Sequence, residues 1–188
     1  MPHNDPSLAT PDLRERAARL LMAAAPTTHM SLSEAAIVVN LMEPAFVSIG
    51  TVLMEEGEAE DTDYMALVLE GEVRAESGGG IPGEEVVISV LGPGSLIGEM
   101  GMLDGSPRSA TCTALTDLKL ATLSGAMLLA LIEMHPSAAA RLLLGISVAL
   151  SVRLRESNRR LRALASVSRA VQLELDATHA VNRRLLAR

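Results

Sequence analysis

The residues best suited to chemistry lie in one stretch, Ile97-Gly98-Glu99-Met100-Gly101-Met102-Leu103-Asp104-Gly105-Ser106-Pro107-Arg108-Ser109-Ala110-Thr111. Two glycines flank Glu99 and Met100 in what reads as one short helical turn. The unpaired N–H groups at a helix start suit an anion. Gly98 removes a side chain where a ligand approaches the backbone. Ser109 and Ala110 are small enough to let backbone N–H groups close on the same anion. Arg108 supplies a charge-assisted contact of the kind that holds phosphate. Glu99 would repel that phosphate, so its place is on a sugar hydroxyl, as a hydrogen-bond acceptor. One arginine beside one carboxylate fits a ligand with a single negative charge and a diol-like edge. The simpler alternative is a glycine-rich turn in which Glu99 and Arg108 form a surface ion pair, worth about 0–1 kcal/mol.

No catalytic constellation accompanies this stretch. The four histidines (His3, His29, His135, His179) are scattered, and Cys112 is the only cysteine, so neither a metal site nor a disulfide is expected. Asp61 and Asp63 sit in an acidic turn and read as solvated carboxylates. Cys112 lies in a strand of small residues and is expected in the core. The expectation is therefore a binding protein and not an enzyme.

Among the 188 residues 48% are hydrophobic, enough for one well-buried domain with a helical appendage. No uncharged apolar run approaches the roughly 18–20 residues of a membrane span, and the first residues lack the basic start of a secretory signal. A cytoplasmic protein is expected, with no membrane partner. The net charge of −7 is unevenly spread: residues 151–188 carry nine arginines and a net +6, leaving −13 for residues 1–150. A basic tail of this kind either binds nucleic acid or forms the solvated face of a long helix.

The elements that must position these residues fall into three zones. Residues 1–10 read as a loose end. Apolar spacing predicts a helix over Pro11–Ala25 and a second over Ser31–Leu41, capped by Ser31 or Ser33 and ended by Pro44. From Ala45 to Leu123 short apolar runs predict strands at Phe46–Met54, Tyr64–Leu69, Val73–Glu76, Glu85–Leu91, Ser109–Leu115 and Lys119–Leu123. Turns such as Glu56-Gly57-Glu58, Ser77-Gly78-Gly79-Gly80 and Gly92-Pro93-Gly94 separate them. Strands at this spacing imply an antiparallel sandwich, roll or barrel, not a doubly wound fold. Ser124 is expected to cap a helix over Gly125–Met134, and His135-Pro136 turns the chain into a final helix. That helix carries a heptad seam at Leu143, Leu150, Leu154, Leu161, Leu164, Val171, Leu175 and Leu185, interrupted by Ser147, Ser157, Ser168, Thr178 and Asn182. A second copy of the chain is the simplest partner for it.

Gly98-Glu99-Met100-Gly101 followed by Pro107-Arg108-Ser109-Ala110-Thr111 closely resembles the phosphate-binding cassette of the cyclic nucleotide-binding domain family. The usual form there is Gly-Glu-Leu-Ala/Gly, a variable loop, then Pro-Arg-Ser/Ala-Ala-Thr. Met100 replaces the leucine. The similarity extends to Gly57-Glu58 through Tyr64, Leu69-Glu70-Gly71-Glu72-Val73, Leu91-Gly92-Pro93-Gly94-Ser95-Leu96-Ile97 and the His135-Pro136 elbow, covering about residues 31–160. Glu60 stands where a turn glycine is common and Ser95 where Asp is common.

The resemblance implies a mainly β fold with flanking helices: an antiparallel β-roll of jelly-roll type, of about eight strands, with N-terminal helices and a long C-terminal helix. The parts would be a tail and helix at 1–30, the ligand-binding roll with flanking helices at 31–135, and a lid and dimerisation helix at 136–188. It also implies that Glu99 holds a ribose hydroxyl, Arg108 the cyclic phosphate, the backbone near Gly98, Ser109 and Ala110 the phosphate oxygens, and that Ile97 lines the sugar. Met100 belongs to the same set. Arg153 and Leu154 fall where the last helix lids the base, and an arginine there stacks on a purine or stays exposed. The ligand implied is cyclic AMP or cyclic GMP, with cyclic AMP favoured by its frequency in the family. It acts as a regulator, with no catalytic cofactor.

Three functions compete. The first is a receptor module whose final helix carries the signal through a homodimer over 136–185 to an unidentified downstream protein. The second is a regulator of the catabolite activator type, in which Ser166–Val171 faintly resembles a recognition helix. No turn precedes that stretch and no wing follows it, so sequence-specific DNA binding is disfavoured and the basic tail is left for nonspecific contact. The third is a dimerising scaffold that has lost its ligand, against which the intact Glu99 and Arg108 count.

Overall fold

The computed structural model describes residues 3–4, 11–78 and 86–186. They belong to two compact units, Met1–Ser147 and Val148–Arg188.

In the first unit α1 (Pro11–Ala24) begins at a proline, whose missing N–H costs nothing at a helix start, and buries Ala17, Ala18 and Leu21. A 3-10 turn at Pro26–Thr28 leads to α2 (Leu32–Asn40). Ser31, not Ser33, is its cap. The Glu34 N–H donates to Ser31 Oγ at 3.2 Å, and the Ser31 N–H donates to Glu34 Oε2 at 2.9 Å, a reciprocal capping box.

Among the described residues nine strands, the first of them ahead of α1, form two antiparallel sheets: β1 (His3–Asn4), β2 (Glu43–Val47), β3 (Val52–Met54), β4 (Tyr64–Glu70), β5 (Val73–Ser77), β6 (Val86–Leu91), β7 (Leu96–Ile97), β8 (Thr111–Ala114) and β9 (Leu118–Ser124). One sheet runs β1-β2-β9-β4-β7 and the other β3-β8-β5-β6. Their facing sides enclose a core that includes Val47, Met54, Val68, Val73, Ile97 and Cys112. β4 is buried on both faces. Ala66 and Val68 point into the roll, while Met65, Leu67 and Leu69 alternate to the side on which α1 packs. After β7 comes α3 (Glu99–Asp104). After β9, Ser124 caps α4 (Gly125–Met134) by accepting the Met127 N–H at 3.3 Å, and Pro136 opens α5 (Pro136–Leu186). This is the expected roll with N-terminal helices and a long C-terminal helix.

Several boundaries differ from expectation. The expected strand Phe46–Met54 is two strands, β2 and β3, because Gly50 takes a left-handed turn (φ 80°) between them. Pro44 sits inside β2 instead of merely ending α2. In the expected loose N-terminus, His3 and Asn4 pair with Phe46 and Ala45; residues 5–10 lie outside the described residues, as do Gly79, Gly80, Glu85 and the last two positions. Leu96–Ile97 is a strand that the spacing did not suggest. Ser109 and Ala110 precede β8 instead of opening it.

The second unit, from Val148, is helical to Leu186. Leu154, Leu161, Leu164, Val171 and Leu175 of the heptad seam are exposed on it. Between Pro136 and Gln172 one window is apolar enough, by length and composition alone, to cross a membrane.

Candidate functional site

The site forms where β7 passes into α3 and the chain returns towards β8. Gly98, the N-cap of α3, is left-handed (φ 76°). A Cβ there would stand 2.6 Å from Met54 Cε and 2.7 Å from Arg108 Nη1, so the position accepts only glycine without a shift. Ile97 is buried in the roll core. Glu99, the first residue of α3, is only 2% exposed. Met100 points outward, 44% exposed, and its Sδ accepts a hydrogen bond from Ser109 Oγ at 3.6 Å. Ser109 is exposed and Ala110 half-buried. The cassette residues 97–100 and 108–110 thus come together around one short helix. Arg153 and Leu154 belong to the second unit, where Arg153 is half-buried and Leu154 is 63% exposed.

Arg108 is the centre of the site, and it is 4% exposed. Its Nη1 donates to the carbonyls of Tyr64 (3.1 Å) and Gly98 (2.9 Å), and its Nη2 donates to that of Asp61 (2.8 Å). The guanidinium carbon lies 4.6 Å over the Tyr64 ring. Nε is buried and has no acceptor among the described residues. A guanidinium has five N–H donors, so the Nε–H and one Nη2–H remain for a further acceptor. Arg108 forms no ion pair, with Glu99 or with any other carboxylate among the described residues. The surface ion-pair alternative therefore fails: both side chains are buried and they do not pair. A buried cation with no counter-ion among the described residues is unfavourable by itself.

The loop over residues 55–63 is fastened to the same arginine. The Gly57 N–H donates to the Arg108 carbonyl and the Arg108 N–H donates to that of Glu58, both at 2.8 Å. Glu60 replaces the common glycine, and the left-handed position falls one residue later, on Asp61 (φ 50°). Aspartate tolerates that conformation better than most residues. Asp61 and Asp63 are exposed, as expected, but the Asp61 carbonyl also orients Arg108.

Tyr64 was not singled out in the sequence. It stacks under Arg108, and its hydroxyl donates to the Leu53 carbonyl at 3.2 Å. Burial raises its pKa, an effect the Arg108 charge opposes. An aromatic opening a buried strand directly after an acidic turn was the available signal. Its partner lies 44 residues away in sequence. A cleft of about 280 Å³ shares Asp61 and Tyr64 with the site, but Glu43 and Asp63 also line it, which suits no anion. Among the described residues no group of His, Cys, Asp and Glu is placed to hold a metal ion.

The β-roll thus holds a buried arginine at the base of a glycine-capped turn, and comparisons with known proteins show the family to which this arrangement belongs. Residues 45–135 match the cyclic nucleotide-binding domain model. A cyclic nucleotide-binding domain from Methylobacillus flagellatus superimposes with a TM-score of 0.71 at 27% identity, covering 84% of this chain and 94% of that one. The N-terminal domain of a transcriptional regulator from Streptomyces coelicolor A3(2) is 31% identical, with a TM-score of 0.58 over 76% of this chain and 94% of that one. The cAMP-dependent protein kinase regulatory subunit of Yarrowia lipolytica is 42% identical over 77 residues, 41% of this chain and 19% of that protein. The chain belongs to the cyclic nucleotide-binding domain family, a regulatory family and not a catalytic one. It spans 19–37% of the length of the curated relatives it matches.

Proposed function

We propose that this chain is a cytoplasmic cyclic AMP receptor module that binds its ligand without turning it over and signals through its C-terminal helix. The observation that carries the reading is the buried Arg108, with its Nε–H unpaired and no carboxylate to neutralise it among the described residues. In this reading the Nε–H and the remaining Nη2–H take the exocyclic phosphate oxygens, assisted by backbone N–H groups near Gly98, Ser109 and Ala110. Glu99, already buried at the start of α3, accepts the ribose hydroxyl, and Ile97 forms the apolar wall beneath the sugar. The names of the kinase subunit, of a cyclic AMP receptor protein and of one similar solved structure support adenine, whereas another solved structure of the same identity is named for a cyclic-GMP-dependent pathway. The exposed seam of Leu154, Leu161, Leu164, Val171 and Leu175 supports a homodimer over 136–185, and the base-lid role of Arg153 and Leu154 rests on the family resemblance alone. The ligand shifts that helix only as far as it binds one arrangement better than the other.

Isothermal titration calorimetry of nucleotide-free protein with cyclic AMP and then cyclic GMP tests this. Saturable micromolar or tighter binding, stronger for cyclic AMP, is expected. A folded, nucleotide-free protein that binds neither would leave the ligand-free scaffold in its place.

A further inference from the structure

Met100 puts an oxidisable sulfur where the cassette's usual form has a leucine. Its thioether is 44% exposed and is hydrogen-bonded, at 3.6 Å, to the hydroxyl of Ser109, next to Arg108. The other sulfurs near the site are shielded: Met54, under Gly98, and Cys112 are buried in the roll core, and Met102 is half-buried. Met127 and Met134 are exposed, but they lie on α4. An oxidant reaching the cassette therefore meets Met100 first.

We propose that Met100 is a site of reversible oxidation that lowers the affinity of the cassette for its ligand. The inference rests on the reading of residues 97–110 as the cyclic nucleotide site. With hydrogen peroxide as oxidant, a sulfur lone pair attacks one peroxide oxygen, an S–O bond forms, the O–O bond breaks and water leaves. Sulfur loses two electrons and the peroxide gains them. The product oxygen is polar and a far stronger acceptor than a thioether. It holds the Ser109 hydroxyl already aimed at it, and it places partial negative charge beside the position of an anionic phosphate. That added charge opposes binding. Because the side chain is exposed, the added oxygen needs no space in the core and the fold persists.

The test exposes the full chain to graded hydrogen peroxide, follows residue 100 by peptide mass spectrometry and titrates cyclic AMP calorimetrically before and after. Met100→Leu and Met134→Leu are treated in parallel, each compared with its own untreated affinity. Oxidation of Met100 is expected to weaken the wild-type affinity by about threefold to tenfold, the scale of one hydrogen bond. Met134→Leu should show the same loss and Met100→Leu none, and methionine sulfoxide reductases should restore the wild type. Wild-type affinity unchanged at full Met100 oxidation, or an equal loss in Met100→Leu, overturns the inference while the nucleotide site stands. An untreated chain that binds no cyclic nucleotide overturns both.

Discussion

Gly98→Ala separates the backbone role of the cassette glycine from its role beside Arg108. At φ 76° an alanine carries left-handed strain of about 1–2 kcal/mol. Its Cβ would also lie 2.7 Å from Arg108 Nη1, so the guanidinium must withdraw by about 0.7 Å to reach ordinary contact at 3.4 Å. That withdrawal stretches the 2.9 Å and 3.1 Å bonds to the Gly98 and Tyr64 carbonyls. Losing one hydrogen bond from a charged donor costs about 1.5–3 kcal/mol. The expected destabilisation is about 2.5–5 kcal/mol, with cyclic nucleotide affinity down about tenfold because the phosphate donor has moved. Gly105→Ala is the control. Gly105 is also left-handed (φ 69°), but its Cβ would meet nothing within 4 Å, so only the backbone strain applies and affinity stays near wild type. Urea denaturation gives the stabilities and calorimetry the affinities. Equal stability loss in the two variants, or full affinity in Gly98→Ala, would refute the steric coupling of Gly98 to Arg108.

Three further outcomes are expected. The Ser31 backbone N–H, followed by the Ser137 and Ser31 hydroxyls, holds the Glu34 carboxyl down from its ordinary 4.5 to about 2. Its folded-state value is depressed, so its contribution is present above about pH 4.5 and fades as pH falls towards 2. The gap in Tm between wild type and Glu34→Gln should therefore be open at pH 6 and close on acidification; a constant gap across that range contradicts the assignment. Tyr64→Phe, which keeps the ring beneath Arg108, should bind cyclic nucleotide more tightly than Tyr64→Leu, which forfeits a cation–π contact of about 0.5–2 kcal/mol. Equal affinities would remove Tyr64 from the positioning of Arg108. Leu161→Glu with Leu164→Glu should convert a dimer to a monomer in sedimentation velocity, whereas a wild type already monomeric would remove the proposed pairing.

Local signals carried most of the fold into the sequence. Ser31 with Glu34, and Ser124 before an apolar run, mark helix starts because a cap acts within one turn, and α2 and α4 begin where those residues put them. The split at Gly50 was hidden because Phe46–Met54 reads as one apolar run; the turn depends on a single left-handed glycine. β1 and β7 are two residues long, too short for any periodicity, and their pairing is decided by neighbouring strands. At the site, Arg108 and Glu99 were legible because their order with the glycines is unusual. Tyr64, Met54 and the Asp61 carbonyl were not, since each meets the cassette through contacts made by the closed roll.

The central claim is that the unpaired Nε–H of Arg108 is the phosphate donor, and nitrogen-15 NMR of arginine Nε–H groups addresses it directly. Arg108→Lys identifies the resonance by its disappearance. On saturation with cyclic AMP the Arg108 Nε–H signal should shift strongly and become protected from exchange with solvent, as a new acceptor engages it. Saturable binding that leaves this resonance unmoved would contradict the claim and place the nucleotide elsewhere on the chain.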